Sequence, residues 1–381
     1  MAKSDVLIIG GGVIGLITAI TLAQTGARVT IVDAEINAGS TSNAGSLHVQ
    51  MQSRFIRLFP ELAPNVEAAL PLYKQATESW AQLEQQLGPF DLVRKGGLML
   101  AESAEQMVFL EQKSRREAAK GIDVALLDRS DLDKIAPWVG PQIIGAEICY
   151  NEGKLNPLLA NTRLLARCKA LGIERIKDRI ERLEEAGHAV TAIGRKAVYS
   201  AREVVVSAAW GSGEVVSAFG INIPTVAEPL HMNITEACDQ RIETLVQHAE
   251  RPITLKQFAT GQIVIGGGWP AKGLGTNTVP QVSASSMLGN VGLAARLVPA
   301  IGTLRIIRTW AGMNTTADGG SIIGRLPGST RVIMAIPGDA GYTLGPLVAE
   351  AAASVVLGLD PPFDIRPFDP ARFGAFGASS A

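Results

Sequence analysis

The N-terminal stretch constrains the fold more than any other part of the chain. Asp5-Val-Leu-Ile-Ile is an apolar run ending at Gly10, and Gly10, Gly12 and Gly15 spell G-x-G-x-x-G. Residues 16–25 have the composition of a helix, and residues 29–32 form a second apolar run that ends in Asp33. Strand, glycine turn, helix, strand and acid in that order predict a dinucleotide-binding unit. Gly10 permits the tight turn, Gly12 lets a pyrophosphate approach the backbone, and Gly15 lets helix and strand pack closely. Val13 and Ile14 open the helix whose N-terminal dipole would face the phosphates, and Asp33, followed by Ala34, would accept hydrogen bonds from ribose hydroxyls. The motif alone does not separate NAD from FAD.

With 381 residues, 47% of them hydrophobic, the chain can bury a large core and is long enough for two domains. A formal net charge of -1 and the lack of any Lys/Arg cluster argue against nucleic acid as a partner. No charged segment and short apolar run precede the glycine motif, so no signal peptide is expected, and no apolar run approaches bilayer-spanning length. Cys149, Cys168 and Cys238 are far apart, with neither disulfide nor metal-ligand spacing. That usage suits reduced cysteines in a cytoplasmic protein, and no metal site is expected.

Beyond Asp33, residues 37–45 form a loop of small residues suited to approach an anionic or planar ligand. Hydrophobic spacing predicts helices over 68–87 and 104–121, a short helix over 126–135, and strands over 96–101 and 143–150. Asn156-Pro157 opens a helix that Gly172 stops. Residues 173–200 are short alternating segments with turn signals, which predicts a β-meander, and 203–211 read as a buried strand ending in small residues and Trp210. Segments 223–236 and 253–268 are strand-rich, 283–297 is helical, and 305–315 and 331–336 are strands. A second glycine-rich turn at 337–346 precedes a helix over 347–357. The fold class is α/β: a Rossmann-type, doubly wound cofactor domain with a β-meander, plus an α+β substrate domain with a mostly antiparallel sheet. We assign 1–85, 151–220 and 321–381 to the first domain and 86–150 and 221–320 to the second.

Five stretches then carry a resemblance. The N-terminal motif, Ser40-Thr-Ser-Asn-Ala-Gly45, Val204-Val-Val-Ser-Ala-Ala-Trp210, Trp310-Ala-Gly-Met-Asn-Thr-Thr-Ala-Asp318 and Gly338-Asp-Ala-Gly-Tyr-Thr-Leu-Gly345 lie in a telling order. They resemble FAD-dependent amine oxidoreductases of the D-amino-acid oxidase, glycine oxidase and sarcosine oxidase family. The resemblance spans nearly the whole chain and implies FAD, not NAD. Within the family, Asn43-Ala-Gly-Ser-Leu-His-Val-Gln-Met-Gln-Ser-Arg-Phe-Ile-Arg57 and Gly312-Met-Asn-Thr-Thr-Ala-Asp-Gly look most like the β subunits of bacterial opine (octopine or nopaline) oxidases. Cyanide-forming glycine dehydrogenase and dye-linked proline dehydrogenase β subunits are near relatives.

Carried over by position, the resemblance implies that Gly10, Gly12, Val13, Ile14, Gly15, Asp33, Ala34, Ser40, Thr41, Ser42, Ala44, Gly45 and Leu47 hold the nucleotide and approach the isoalloxazine. Ile180 would pair with adenine through its backbone. Ala208 and Trp210 would line the phosphate side, and Met313, Gly338, Ala340, Gly341, Tyr342 and Thr343 the flavin. Three departures sharpen the reading. Gly312 stands where sarcosine oxidases carry a flavin-linking cysteine, so FAD is expected to be non-covalent. Asn314 replaces the arginine that clamps a simple amino acid's carboxylate in glycine oxidases. Val264 replaces a lysine that favours reaction with oxygen in monomeric sarcosine oxidase, which points to a dehydrogenase.

The expected activity is oxidation of the secondary-amine C–N bond of an opine to an imine, which hydrolyses to an amino acid such as arginine and a 2-oxo acid. Arg54, Arg57, Lys256 and Asn314 are the candidate substrate contacts; His48, Glu228, His231 and Tyr342 are the candidates for orienting or deprotonating the amine. The resemblance also implies a larger α subunit, a small iron–sulfur subunit and an FMN between subunits, in a complex that is cytoplasmic or membrane-associated. A self-sufficient oxidase of glycine, sarcosine or proline and a non-catalytic FAD-bearing subunit are the rival readings.

Overall fold

The computed structural model describes residues 4–275, 277–338 and 340–374; Asp339, within the C-terminal glycine turn, lies outside them. β1 (Ser4–Ile9) runs through the glycine turn into α1 (Val13–Gln24) and β2 (Val29–Asp33). β3 (Ser46–Leu47), α2 (Ser53–Leu58) and α3 (Ala63–Leu87) lead to β4 (Gly97–Ala101), α4 (Ala104–Ala118), β5 (Val124–Asp128), α5 (Arg129–Ile135) and β6 (Gly145–Cys149). The chain returns through β7 (Gly153–Lys154), α6 (Pro157–Ala170), β8 (Glu174–Lys177), β9 (Ile180–Ala186), β10 (Ala189–Gly194) and β11 (Val198–Val206). After α7 (Ser212–Val216) come β12 (Val226–Ala237), β13 (Leu245–His248), β14 (Thr254–Gln257), β15 (Gln262–Gly266) and α8 (Ala284–Leu297). β16 (Ile306–Thr316), β17 (Ile322–Arg325), β18 (Val332–Ile336) and α9 (Gly341–Leu357) complete the fold.

Val6 to Ile9 of β1 are buried without alternation, as a strand covered on both faces must be. β1 sits in a sheet of order β17-β18-β11-β1-β2-β8, parallel from β18 to β8. β9 and β10 fold antiparallel onto β11 as the meander. Helices α1, α3, α6 and α9 cover one face of this sheet. The meander and α7 cover the other. A second sheet, β16-β12-β15-β14-β13-β4-β6-β5, is antiparallel except where β13 runs parallel to β4. Its outer face packs on α8 and α5. The α/β class with a mostly antiparallel second sheet is therefore as the sequence implies.

Four elements differ from the sequence expectation. Residues 126–135 are not one helix: β5 extends to Asp128, pairing with β6, and the Asp128 carboxylate then accepts the Asp131 N–H at 2.9 Å and caps α5. Segments 197–200 and 203–206 are a single strand, β11, whose first half pairs with β10 and whose second half pairs with β1. β13 has no counterpart in the sequence reading, because its short run gains its place only from distant β4. The last helix starts at Gly341, not residue 347, and continues through Pro346.

Pro346 lacks the N–H that would bond to the Tyr342 carbonyl one turn earlier. Trp80 of α3 supplies the missing donor, with its Nε1 3.0 Å from Tyr342 O. The Trp80 ring also stacks on Tyr342, centroids 5.1 Å apart, and meets Phe90 edge-on at 5.8 Å. A fully buried indole thus supports α9 by packing and by one hydrogen bond. Trp80→Ala should cost about 3–5 kcal/mol in urea unfolding. Trp80→Phe, which keeps a ring but strands the carbonyl, should cost about 1–3 kcal/mol.

Candidate active site

The C-terminal ends of β1, β2, β11 and β18 face the inner side of the second sheet across a cavity of about 1300 Å3. Open parallel sheets bind ligands at this end. At the glycine turn, Gly10 has φ 105°, and a Cβ there would lie 2.3 Å from Ser207 O. A Cβ on Gly15 would lie 1.9 Å from Gly10 O. The turn is therefore closed to side chains on its protein side. Gly12, Val13 and Ile14 line the cavity, and so do Asp33 and Ala34. Asp33 Oδ1 accepts the Glu35 N–H at 2.9 Å, and a Cβ on Gly11 would lie 2.4 Å from Oδ2, so the carboxylate lies against the turn.

The small-residue loop closes over this turn. Val13 N–H donates to Ser40 Oγ at 2.9 Å, and Trp310 Nε1 donates to Ser42 O at 2.9 Å. Ser40, Thr41, Ser42 and Ala44 line the cavity, whereas Gly45 and Leu47 stand behind the wall. Gly45 cannot carry a side chain, because a Cβ would lie 2.1 Å from Leu155 O. Ile180, Ala208, Trp210, Met313, Gly338, Ala340, Gly341, Tyr342 and Thr343 all line the same cavity. The structure thus gathers residues from both ends and the middle of the chain around one space.

The candidate substrate and proton-handling residues disperse more widely. His48 lines the cavity, its backbone N–H bonded to Thr343 Oγ1 at 3.0 Å. Burial and the nearby Lys256 push its pKa down to about 3, which keeps the imidazole neutral. Tyr342 is buried with its Oη unpartnered, and burial raises its phenol well above the ordinary range. His231 Nε2 lies 3.0 Å from Asn233 Oδ1, and Asn233 in turn bonds to Asn290 of α8. His231 is among the lining residues, but its ring is tied through Asn233 to α8. Glu228 is exposed and accepts Asn314 Nδ2 at 3.2 Å; only Asn314 of that pair lines the cavity.

Arg54 lines the cavity mouth and is exposed. Arg57 does not line it: Nη1 pairs with Glu250 at 3.0 Å and the guanidinium lies over Phe109, 3.9 Å from the centroid. Arg251, unremarked in the sequence, also lines the cavity and pairs with Glu102 at 3.3 Å. Lys256 is fully buried behind the wall and donates to Ser46 Oγ at 2.5 Å. Burial and the repulsion of Lys154 lower its pKa to about 7. Two other lining residues, Gln50 and Gln247, are not among the sequence candidates. Both bond to the buried Glu152 carboxylate, whose partners lie some hundred positions away and leave no local signal.

A sequence profile of FAD dependent oxidoreductases, the DAO family, matches residues 5–355. The chain belongs to this family. The beta subunit of sarcosine oxidase from Rhizobium meliloti is 23% identical over 85% of this oxidoreductase and 77% of its own length. The B subunit of opine oxidase from Agrobacterium tumefaciens is 23% identical over 84% of each chain. The crystal structure of glycine oxidase from Geobacillus kaustophilus shares the fold, with a TM-score of 0.86 over 98% of this oxidoreductase and 99% of that chain at 20% identity.

Two outcomes follow for the oxidoreductase. Gly15→Ala forces apart the backbone that shapes the glycine turn and should reduce FAD retention at least about tenfold, read as flavin absorbance per protein after gel filtration. Lys256 has a folded pKa below its unfolded value, so it withholds stability as pH falls from 10.5 towards about 7. Lys256→Met should therefore raise stability by on the order of 2 kcal/mol near neutrality, with the gain shrinking towards pH 10, checked by urea unfolding across that range.

Proposed function

We propose that this oxidoreductase is the amine-oxidising component of a heteromeric opine dehydrogenase, acting on a secondary amine that carries two carboxylates. The observation that carries the reading is Asn314. It occupies the position at which the resemblance puts a carboxylate-clamping arginine, it carries no charge, and its Nδ2 donates to Glu228 at 3.2 Å. Positive charge on the cavity wall is found instead on the exposed Arg54 and on Arg251, which also pairs with Glu102, and it would meet the outer carboxylate of an extended substrate. The similarity to the B subunit of opine oxidase points the same way.

FAD fits the cavity. The glycine turn is bare of side chains, the Asp33 carboxylate adjoins it, and the volume exceeds what a drug-sized ligand needs. Gly10, Gly12, Val13 and Ser40 to Ser42 would hold the pyrophosphate, Asp33 the ribose, and Gly338 to Thr343 the flavin. Bound FAD would take a hydride from the carbon next to the amine nitrogen. None of the three cysteines lines the cavity, which favours non-covalent attachment. His48, kept neutral, would accept a hydrogen bond from the amine, while Tyr342 would present an unengaged hydroxyl. Hydrolysis of the imine would give an amino acid such as arginine and a 2-oxo acid. A larger α subunit would receive the electrons, a small iron–sulfur subunit would complete the complex, and an FMN would belong to the interface between subunits. No helix among the described residues is long and apolar enough to cross a membrane.

Anaerobic addition of octopine or nopaline to the purified, flavin-loaded protein should bleach its flavin, with slow recovery when air is admitted. Bleaching by glycine, sarcosine or proline and not by an opine would overturn the opine assignment. Fast recovery with peroxide formation would identify a self-sufficient oxidase, and no bleaching by any secondary amine would sink the amine-oxidising reading altogether.

A further inference from the structure

Leu58 and Phe59 are 57% and 44% exposed, and both line the cavity. Phe55 lines it too, with its ring 5.3 Å from that of Phe59. Leu62, at the N-cap of α3, and Val66 and Ala69 within that helix continue the row at helical spacing. None of these side chains is fully buried. α2 and the start of α3 therefore give the cavity one apolar wall that solvent reaches. A contiguous accessible apolar surface of this kind marks a place where apolar matter binds.

Charge around the wall narrows what that matter can be. Arg54 adjoins Phe55 on α2, lines the cavity, is exposed and has no ion-pair partner among the described residues. Among the described residues, the lining carboxylates are those of Asp33, Glu35, Asp178, Asp318 and Asp364, none of them on α2 or α3. Each is already engaged. Asp33 lies against the glycine turn, and Glu35 pairs with Lys177 at 3.1 Å. Asp178 accepts from Tyr199 Oη at 2.9 Å and from Lys196 N at 3.1 Å. Asp318 holds Arg372 at 2.8 and 2.9 Å, and Asp364 holds Arg366 at 2.8 and 2.7 Å. Glu61 and Glu67, the acids of the apolar segment itself, do not line the cavity, and Glu67 pairs with Arg116. A group lying on this wall thus meets apolar carbon and one cation, with no open carboxylate.

We infer that this wall seats the side chain of the substrate's amino-acid half, and that among secondary-amine dicarboxylates the oxidoreductase prefers an apolar side chain there to the guanidinium of octopine and nopaline. An aromatic or branched aliphatic group buries apolar area against Phe55, Leu58 and Phe59. A guanidinium in the same place gives up water, gains no counter-charge and shares the wall with Arg54. The substrate's carboxylate suits Arg54, so the same helix offers a partner to each end of an apolar N-carboxyalkyl amino acid. The inference rests on the amine-oxidising reading above and narrows its substrate class.

The test compares octopine with N-(1-carboxyethyl)phenylalanine, which keeps the amine and both carboxylates and changes only the side chain, using every stereoisomer of each. Anaerobic flavin bleaching of the flavin-loaded protein gives a limiting rate and a half-saturating concentration for each compound. Wild type should favour the phenylalanine compound by at least about tenfold in the ratio of rate to half-saturation. Leu58→Glu places a carboxylate on the wall at an exposed position where the fold has little to lose, and should cut that preference at least about fivefold. Leu58→Gln, as polar but uncharged, should cut it less. Because the readout is a ratio within one preparation, incomplete flavin loading cancels. Octopine used as well as or better than the phenylalanine compound overturns the inference and leaves the opine reading standing. A preference that Leu58→Glu leaves unchanged also overturns it. Failure of the broader reading is seen separately, as no bleaching by any secondary amine, and the inference falls with it.

Discussion

The stretch from Ala38 to Met51 is the seam on which the structure depends. Ala38 O accepts from Met313 N at 2.6 Å, Ser40 Oγ from Val13 N, and Ser42 O from Trp310. Ser46 accepts from Lys256, His48 N donates to Thr343, Val49 N and Gln50 N to Glu152, and Met51 N to Glu117. The partners of this one stretch thus lie on α1, on the second sheet, on the last helix, on α4 and at Glu152 just before β7. The seam has little regular structure of its own, so its backbone groups must find partners elsewhere. The cavity exists because those partners come from opposite sides.

Much of that partner set is charged and buried, an arrangement that ordinarily costs stability. Burial raises Glu152 to about 7 and Glu147 to about 9, and lowers Lys256 to about 7. A core filled with leucine would pack as well with no such penalty. What the carboxylates provide instead is direction: each N–H they accept fixes the orientation of an amide or a backbone segment beside the cavity. Stability is lowered near the site, and geometry is held in return.

The cofactor end of the site was legible in the sequence because its determinants are local. G-x-G-x-x-G, Asp33 and the Ser40 to Gly45 loop are short contiguous motifs whose composition and spacing can be read directly, although the loop's own partners, Val13 and Trp310, lie far from it in the chain. The fold class followed for the same reason, from the alternation of apolar runs and helix signals. The substrate end was less legible. His231 and Lys256 are polar residues on neighbouring strands, and only the register shows that one ring turns towards α8 while the other side chain crosses to Ser46. Arg57 and Arg54 sit three apart on one short helix, yet only the first meets Glu250. Gln247 and Glu152 mean nothing alone, since their role is a hydrogen bond spanning 95 positions. β13 and α9's early start failed likewise, each settled by a contact from far along the chain, whereas the split of 126–135 was settled by the nearby β6 and the Asp128 cap.

The packing of α1 against α9 has a consequence for synthesis. The first helix made and the last are neighbours in one core, where Ala349, Ala351 and Ala352 lie among the same buried side chains as Ile17 and Ile20. β18, which completes the parallel run beside β11, is also among the final segments to appear. Until β18 and α9 are made, α1 lacks one of its packing partners and β11 one of its neighbouring strands, and the pairing they await is strongly non-local. The nucleotide-binding sheet is therefore incomplete until β18 and α9 are made, a long-range dependence of the kind that leaves apolar surface open to wrong association during folding.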